Sequence, residues 1–413
     1  MLLQNNNHRE AFMLQSSSWF LRFRITFFFS LLFTCSAFAA SNPMPEGYIS
    51  GKVTSSKGAE AGVWVIAETD ETDTPFIKIV VTDNKGRYVL PELPTATYKV
   101  WVRGYGLVDS EPVEGRPGDR DFDLKAVVAK SDAEAAQYYP PDYWLSLFEP
   151  PKENEFPGTG PEGNGISENY TSQRQWLDRF KSGCHFCHQL GNKVTRSLDH
   201  MDHLNFESSQ EAWNYRTQLG VRGGNMYSTF VSMGREKNME VFADWTDRIA
   251  AGELPPKPER PKGIERNVVV TLRDLGFADS YMHDEITTDK NNPTVNAYGL
   301  TYAVSSGHGK LSIVNPVKNT FREIIIPTRE DPREVATRFP PPAQPSNFWG
   351  MEHLWGPEHP SDPHNPMLDP QGRVWLTSKI RNAQPDWCGQ NSNNKYAQYY
   401  PLNFSPRQAS VYD

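Results

Sequence analysis

The chain has 413 residues, 38% of them hydrophobic and 12% aromatic, enough to bury real cores in roughly two to four domains. The formal net charge is -8, and no basic stripe with interleaved aromatics occurs, which argues against nucleic acid as a partner. Pro (33 residues) outnumbers Gly (29), in keeping with a loop-rich, mostly β chain with extended linkers.

Residues 1–40 read as an export signal. Arg22 and Arg24 form a short basic region, and Ile25 to Phe33 is apolar but short for a bilayer span. Ala37-Phe38-Ala39 supplies a small-x-small cleavage pattern. Translation from Met13 gives a more ordinary signal. An uncleaved anchor and a lipoprotein site at Cys35 are the alternatives, the latter weakened by Thr34. No twin-arginine pair occurs, and no later segment is long and apolar enough for a membrane helix. The expected location is periplasmic or secreted.

From residue 45 to 128 the pattern is strand-like. Tyr48–Val53, Val63–Ala67, Lys78–Thr82, Arg87–Leu90, Tyr98–Val102 and Arg120–Leu124 are short alternating runs, with Asp83-Asn84-Lys85-Gly86 as a turn, and they predict an antiparallel sandwich. Residues 129–165 read as a linker or docking segment, aromatic and Pro-rich at Tyr138–Trp144 and extended from Pro150 to Gly165.

Residues 166–256 read as helical. Thr171 or Ser172 caps a helix carrying Trp176, Leu177 and Phe180. Lys237–Ala251 forms a second, with Met239, Val241, Phe242, Trp245 and Ile249 on its apolar side, and stops at Gly252. Between them lies Cys184-His185-Phe186-Cys187-His188, the C-x-x-C-H pattern of c-type haem attachment. On a helix, positions i, i+3 and i+4 share a face, so two thiols reach the two vinyl groups of a haem edge and the imidazole reaches the iron. A thioredoxin-like redox pair lacks its βαβ surroundings; a zinc site using His200 and His203 is the other alternative.

For the sixth iron ligand the preferred residue is Met226, on a loop opened by Gly223-Gly224. Met233, His200 and His203 remain alternatives, and Met239 is expected in the core. From residue 267 the chain is strand-like again at Val268–Leu272, Leu300–Val304, Lys310–Val314 and Gly372–Leu376.

Three resemblances sharpen these expectations. Gly51-Lys52-Val53, Thr82–Tyr88, Leu93-Pro94 and Tyr98-Lys99-Val100 make residues 45–128 resemble the carboxypeptidase regulatory-like domain, a transthyretin-like or prealbumin-like sandwich related to carbohydrate-binding folds. It carries no peptidase centre. Trp64, Tyr98 and Trp101 suit either sugar stacking or a core. The C-x-x-C-H segment, with Phe242–Trp245 and Ile249–Pro255, resembles a cytochrome c domain, without the usual Gly-Pro pair after the motif.

Residues 257–413 resemble a β-propeller of the streptogramin-lyase type, on His283–Ile286, Asn315-Pro316 and His364–Thr377. The remaining length holds roughly three blades, and Cys388 has no partner, so the chain is expected to end short of a closed propeller. The resemblance places that family's catalytic His and Glu late in the propeller and assigns them to no residue of this chain. His283, Asp284, Glu285, Glu352, His353 and His364 are the polar residues to follow.

The expected fold is therefore multidomain: sandwich, all-α haem domain and partial propeller. The leading expectation is an exported protein with one covalent haem c. It would exchange electrons with a redox protein or small-molecule donor or acceptor, coupled to substrate oxidation on the propeller. A propeller lyase or hydrolase with a structural or sensory haem, and a carbohydrate- or surface-binding protein, are the alternatives.

Overall fold

A computed structural model describes residues 47–220, 223–274, 282–305, 308–328, 361–379, 392–399 and 407–413. Every described residue lies in the compact unit Met44–Asp413. The signal segment with Cys35, and Glu352, His353 and Cys388, fall outside the described residues, as does the side chain of His283.

Alternation of apolar and polar residues builds the first layer pair. Strands β1 (Ile49–Ser55), β2 (Gly58–Ala59), β3 (Trp64–Thr69), β4 (Phe76–Val81), β5 (Arg87–Leu90), β6 (Tyr98–Arg103), β7 (Leu107–Val108), β8 (Val113–Gly115), β9 (Leu124–Lys125) and β10 (Val127–Val128) follow in order. One sheet runs β2-β1-β5, with β9 parallel to β1, and β7 pairs with β10. The other runs β4-β3-β6-β8 and gains β11 (Val270–Arg273) on the free edge of β4. Ile49, Val53, Tyr88 and Leu90 of the first sheet share one core with Val65, Phe76, Tyr98 and Val100 of the second.

The turn after β4 forms because Asp83 accepts the amides of Lys85 and Arg87 at 2.8 Å, while Gly86 takes φ 74°. The expected strand Arg120–Leu124 is reduced to β9, since Asp121 turns the backbone at φ 51°.

Residues 129–165 pack rather than dangle. Helices α1 (Asp132–Ala136) and α2 (Pro141–Leu145) bring Tyr139 and Trp144 to 7% and 2% exposure. Edge-to-face pairs run Trp64–Tyr105–Tyr139–Tyr143–Trp144, with centroids 4.9 to 5.3 Å apart, from β3 to the helical region. There α3 (Gln173–Phe180, capped by Ser172), α4 (Ser209–Arg216), α5 (Gly223–Met233) and α6 (Arg235–Ala250) follow. Trp176, Phe180, Trp213, Phe230, Met233, Met239, Phe242 and Trp245 belong to their common core. Helix α6 ends as expected: Gly252 has φ 89°, and the amides of Gly252 and Glu253 donate to Ile249 and Arg248 at 3.0 Å.

The chain beyond α6 runs back over the β layers, which the division at residue 257 did not anticipate. Arg260 pairs with Glu60 and donates to the Tyr105 carbonyl at 2.9 Å, and the expected propeller strand Val268–Leu272 is instead β11 on the β4 edge. The physical reason is the row of unpaired backbone groups on β4, which an apolar strand covers.

Next comes a four-stranded antiparallel meander: β12 (His283–Ile286), β13 (Thr301–Ser305), β14 (Lys310–Asn315) and β15 (Thr320–Ile325). A three-stranded sheet of β16 (His364–Leu368), β17 (Val374–Lys379) and β18 (Arg407–Tyr412) shares a core with it through Val304, Leu311, Ile313, Leu368, Val374 and Leu376. No closed propeller or barrel is present among the described residues. The whole is a mixed protein of antiparallel sheets and helices.

Candidate functional site

Helix α3 passes directly into a π-helical turn, Lys181–His185, which carries the first half of the C-x-x-C-H motif. The amides of Cys187 and His188 then donate to the Cys184 carbonyl at 3.3 and 3.0 Å. This closes an α-like turn and places Cys184, Cys187 and His188 on one face, as the spacing implies. Gly183 lets α5 approach: a Cβ there would stand 2.5 Å from Thr229 Cγ2. Arg179 Nη2 donates to Thr229 Oγ1 at 3.2 Å, tying α3 to α5 beside the motif.

Both cysteines are free thiols. Cys184 packs against the helical core, and that burial pushes its pKa up to about 12. Cys187 and His188 are exposed, so the face they share is open to a reactant. Desolvation of the His188 imidazole, and then the charge of Arg216, hold its pKa below the ordinary value. A neutral imidazole is the form that ligates iron.

Arg216 is the neighbour that sequence inspection missed. Burial lowers its pKa to about 10, and its guanidinium donates to the carbonyls of Val194 (2.7 Å) and Ser197 (3.0 Å) while lying 4.7 Å over the Trp213 ring. No local motif marks it, because both carbonyl partners lie in a segment distant in sequence and only Trp213 is a neighbour on the same helix. Two buried nitrogens near the turn, Trp176 Nε1 and His185 Nε2, find no hydrogen-bond partner.

Of the axial alternatives, Met226 sits on the first turns of α5, where a loop was expected. Burial of Phe230 and Met233 on the same helix outweighs the low helix propensity of Gly223-Gly224. Met226 is half-buried and lies one turn before Thr229, on the face that meets Gly183. Met233 and Met239 are core residues at 1% and 4% exposure, while His200 and His203 are exposed on a 3-10 helix, Asp199–Leu204. Among the described residues no three His, Cys, Asp or Glu side chains gather in metal-holding geometry, so the zinc set of Cys184, Cys187, His200 and His203 is not brought together.

A second polar cluster joins the two C-terminal sheets. His364 Nε2 lies 2.9 Å from Asp362 Oδ1, and its Nδ1 lies 3.3 Å from Asp284 Oδ2, which also accepts the Asn365 amide at 3.0 Å. Asp284, Asp362 and Asn365 all take left-handed φ angles of 47° to 53°. The sequence singled out Asp284 and His364; Asp362 escaped it. Trp64, Tyr98 and Trp101 do not form a sugar platform together: Tyr98 is fully buried, Trp64 meets Tyr105 edge to face and Trp101 lies under Arg103.

No family model matches the chain, and no curated protein or solved structure matches it.

Proposed function

We propose that the Cys184–His188 turn carries one covalently attached c-type haem and that the protein exchanges electrons through it. The observation that carries this reading is the single helical face shared by two free thiols and an exposed imidazole. The donor set suits the group: Cys184 and Cys187 would hold it through thioethers, and His188 would ligate its iron. When bound, a haem c supplies a reversible one-electron couple.

The chain's own residues do the rest. Gly183 and Thr229 hold α5 against the attachment turn, and Arg179 braces that contact. Met226 is the residue proposed to ligate the iron together with His188, because it is the half-buried methionine one turn before Thr229 on α5, whereas Met233 and Met239 are spent in the core. The charge of Arg216 acts on His188, and its guanidinium fixes the 194–197 loop through the carbonyls of Val194 and Ser197. Thioether attachment outside the cytoplasm accords with the export signal, so a periplasmic or secreted location belongs to the same proposal. So do the transthyretin-like identity of the two β layers and the propeller-like identity of the C-terminal sheets.

The test is haem-peroxidase staining of the denatured protein after expression with haem-maturation machinery. Thioethers survive unfolding while axial bonds do not, so the wild type should stain and Cys184→Ala/Cys187→Ala should not. A stained double variant, or an unstained wild type, refutes the proposal.

A hydrolytic or lyase centre in the C-terminal sheets is the second reading, favoured by one observation: the Asp284–His364–Asp362 cluster with its strained backbone.

A further inference from the structure

The described residues contain two Asp-Pro bonds, one on each side of β16: Asp362-Pro363 before it and Asp369-Pro370 after it. Their surroundings differ. Asp369 Oδ1 accepts the amides of Gln371 at 2.9 Å and Arg373 at 3.0 Å, and its Oδ2 accepts Arg373 Nε at 2.7 Å and Trp375 Nε1 at 2.8 Å. Both oxygens are spent on those donors, and the residue keeps an ordinary negative φ.

Asp362 is held in the opposite way. It takes a left-handed φ of 47° immediately before a proline, whose ring disfavours all but extended backbone at the preceding residue. The contacts on either side keep it there. Ser361 Oγ donates to the Gly309 carbonyl at 3.3 Å, the Asn365 amide donates to Asp284 Oδ2 at 3.0 Å, and Met367 pairs with Trp375. Backbone strain persists where the surrounding structure over-determines it, and it concentrates at functional sites. Ser361, Asp362 and Pro363 are buried, and His364 Nε2 lies 2.9 Å from Asp362 Oδ1 while its Nδ1 lies 3.3 Å from Asp284 Oδ2. Both ring nitrogens face carboxylate oxygens, an arrangement satisfied by the imidazole form with a proton on each.

We propose that the chain cuts its own Asp362–Pro363 bond. An Asp362 carboxylate oxygen adds to the main-chain carbonyl carbon of the same residue and closes a five-membered ring, with the advantage that attack within one residue has over attack from solution. The bond from that carbon to the Pro363 nitrogen breaks. The proton on His364 Nε2 passes to the nitrogen, which leaves as a secondary amine. Asp362 is left as a cyclic anhydride. Water opens it to two carboxyl groups, and one proton released in that step returns to His364. The sum is hydrolysis of one peptide bond by one water molecule. Asp284 holds the imidazole in place throughout. The step needs neither the haem nor an outside substrate, so it stands apart from both readings above.

The two pieces stay together after the cut. Strands β16, β17 and β18 lie beyond it, and Leu368, Val374 and Leu376 share a core with Val304, Leu311 and Ile313 of the meander. The nick is therefore visible under denaturing conditions alone.

The experiment incubates the purified full chain at neutral pH with protease inhibitors and reads it by denaturing gel and intact mass. Fragments ending at Asp362 and beginning Pro363-His364-Asn365 should accumulate and co-elute before denaturation. Hydroxylamine should trap the anhydride as an Asp362 hydroxamate, which a contaminating protease does not produce. Asp362→Glu keeps the carboxylate but requires a six-membered ring, and should slow the cut about tenfold or more. His364→Gln should slow it about a hundredfold or more. Asp369–Pro370 should stay whole, as should both bonds in wild type unfolded in guanidinium at the same pH. Circular dichroism checks that each variant is folded; if one is not, the hydroxamate and the comparison of the two bonds in wild type decide. A wild-type chain that stays whole, equal cutting at both Asp-Pro bonds or in the unfolded chain, or a cut that yields no hydroxamate overturns the proposal.

Discussion

Replacing Tyr139 tests how the β layers and the helical region are held together. The ring is 7% exposed and stands edge-on to Tyr105 (5.0 Å) and Tyr143 (4.9 Å), and its hydroxyl accepts the Gly106 amide at 2.8 Å. Tyr139→Phe keeps the ring and strands one amide hydrogen that water can partly reach, a cost of about 1 kcal/mol. Tyr139→Ala also removes two edge-to-face contacts, worth about 0.5–1.5 kcal/mol each, and leaves a cavity; large-to-small aromatic changes cost about 3–5 kcal/mol in all. At about 2–4 °C per kcal/mol for a folding unit of about 200 residues, Tyr139→Phe should lower the melting temperature by a few degrees and Tyr139→Ala by about 6–20 °C. Scanning calorimetry with a Tyr105→Leu double-mutant cycle is the assay. The cycle should return a coupling of about 0.5–1.5 kcal/mol. If Tyr139→Ala melts within a degree or two of Tyr139→Phe, the aromatic row does not join the two parts and the reasoning fails.

Gly183→Ala should force Thr229 Cγ2 away and lower the haem-stained fraction. Adding Thr229→Ser, which deletes that methyl group, should restore staining, and equal staining of all three proteins would show that α5 does not support the turn. Met226→Ala should abolish the weak near-infrared sulfur-to-iron band of the oxidised protein and lower its reduction potential; a band that persists would move the axial assignment to Met233. Glu60 is 4% exposed; burial raises its pKa, but bonds from Ser55 and Arg260 and the Arg260 charge outweigh that and hold it below 4.5. The pair therefore stabilises the fold fully above about pH 4.5 and loses that stabilisation as pH falls through the depressed folded value. Arg260→Ala should cost about 2–4 kcal/mol at pH 7, less than a fully buried pair because Arg260 is 29% exposed, and much less at acid pH. A cost independent of pH in urea melts would exclude the ion pair as its source.

The features that depend on near neighbours could be read from the chain itself. The C-x-x-C-H turn is one, because i, i+3 and i+4 share a helix face whatever surrounds them. The turn at Asp83–Arg87 is another. It recurs at Asp369–Arg373, where Asp369 again accepts the amides two and four residues on and Gly372 takes φ 82°. The strand starts and the Gly252 exit of α6 follow from the same local rules of alternation and capping.

What only the tertiary structure decided lies in contacts between segments far apart in sequence. Nothing local makes Val270–Arg273 an extra strand on β4 rather than the opening of a separate domain, since any apolar strand can cover any open edge. Gly223-Gly224 reads as a loop until Phe230 and Met233 are buried, and that burial puts Met226 on a helix. Arg216 beside His188, Thr229 against Gly183, and Asp362 completing the pair Asp284 and His364 have no spacing rule. Each is held by packing or hydrogen bonding that exists once the separate elements have met, so the chemistry of the motif belongs to the sequence and its surroundings to the fold.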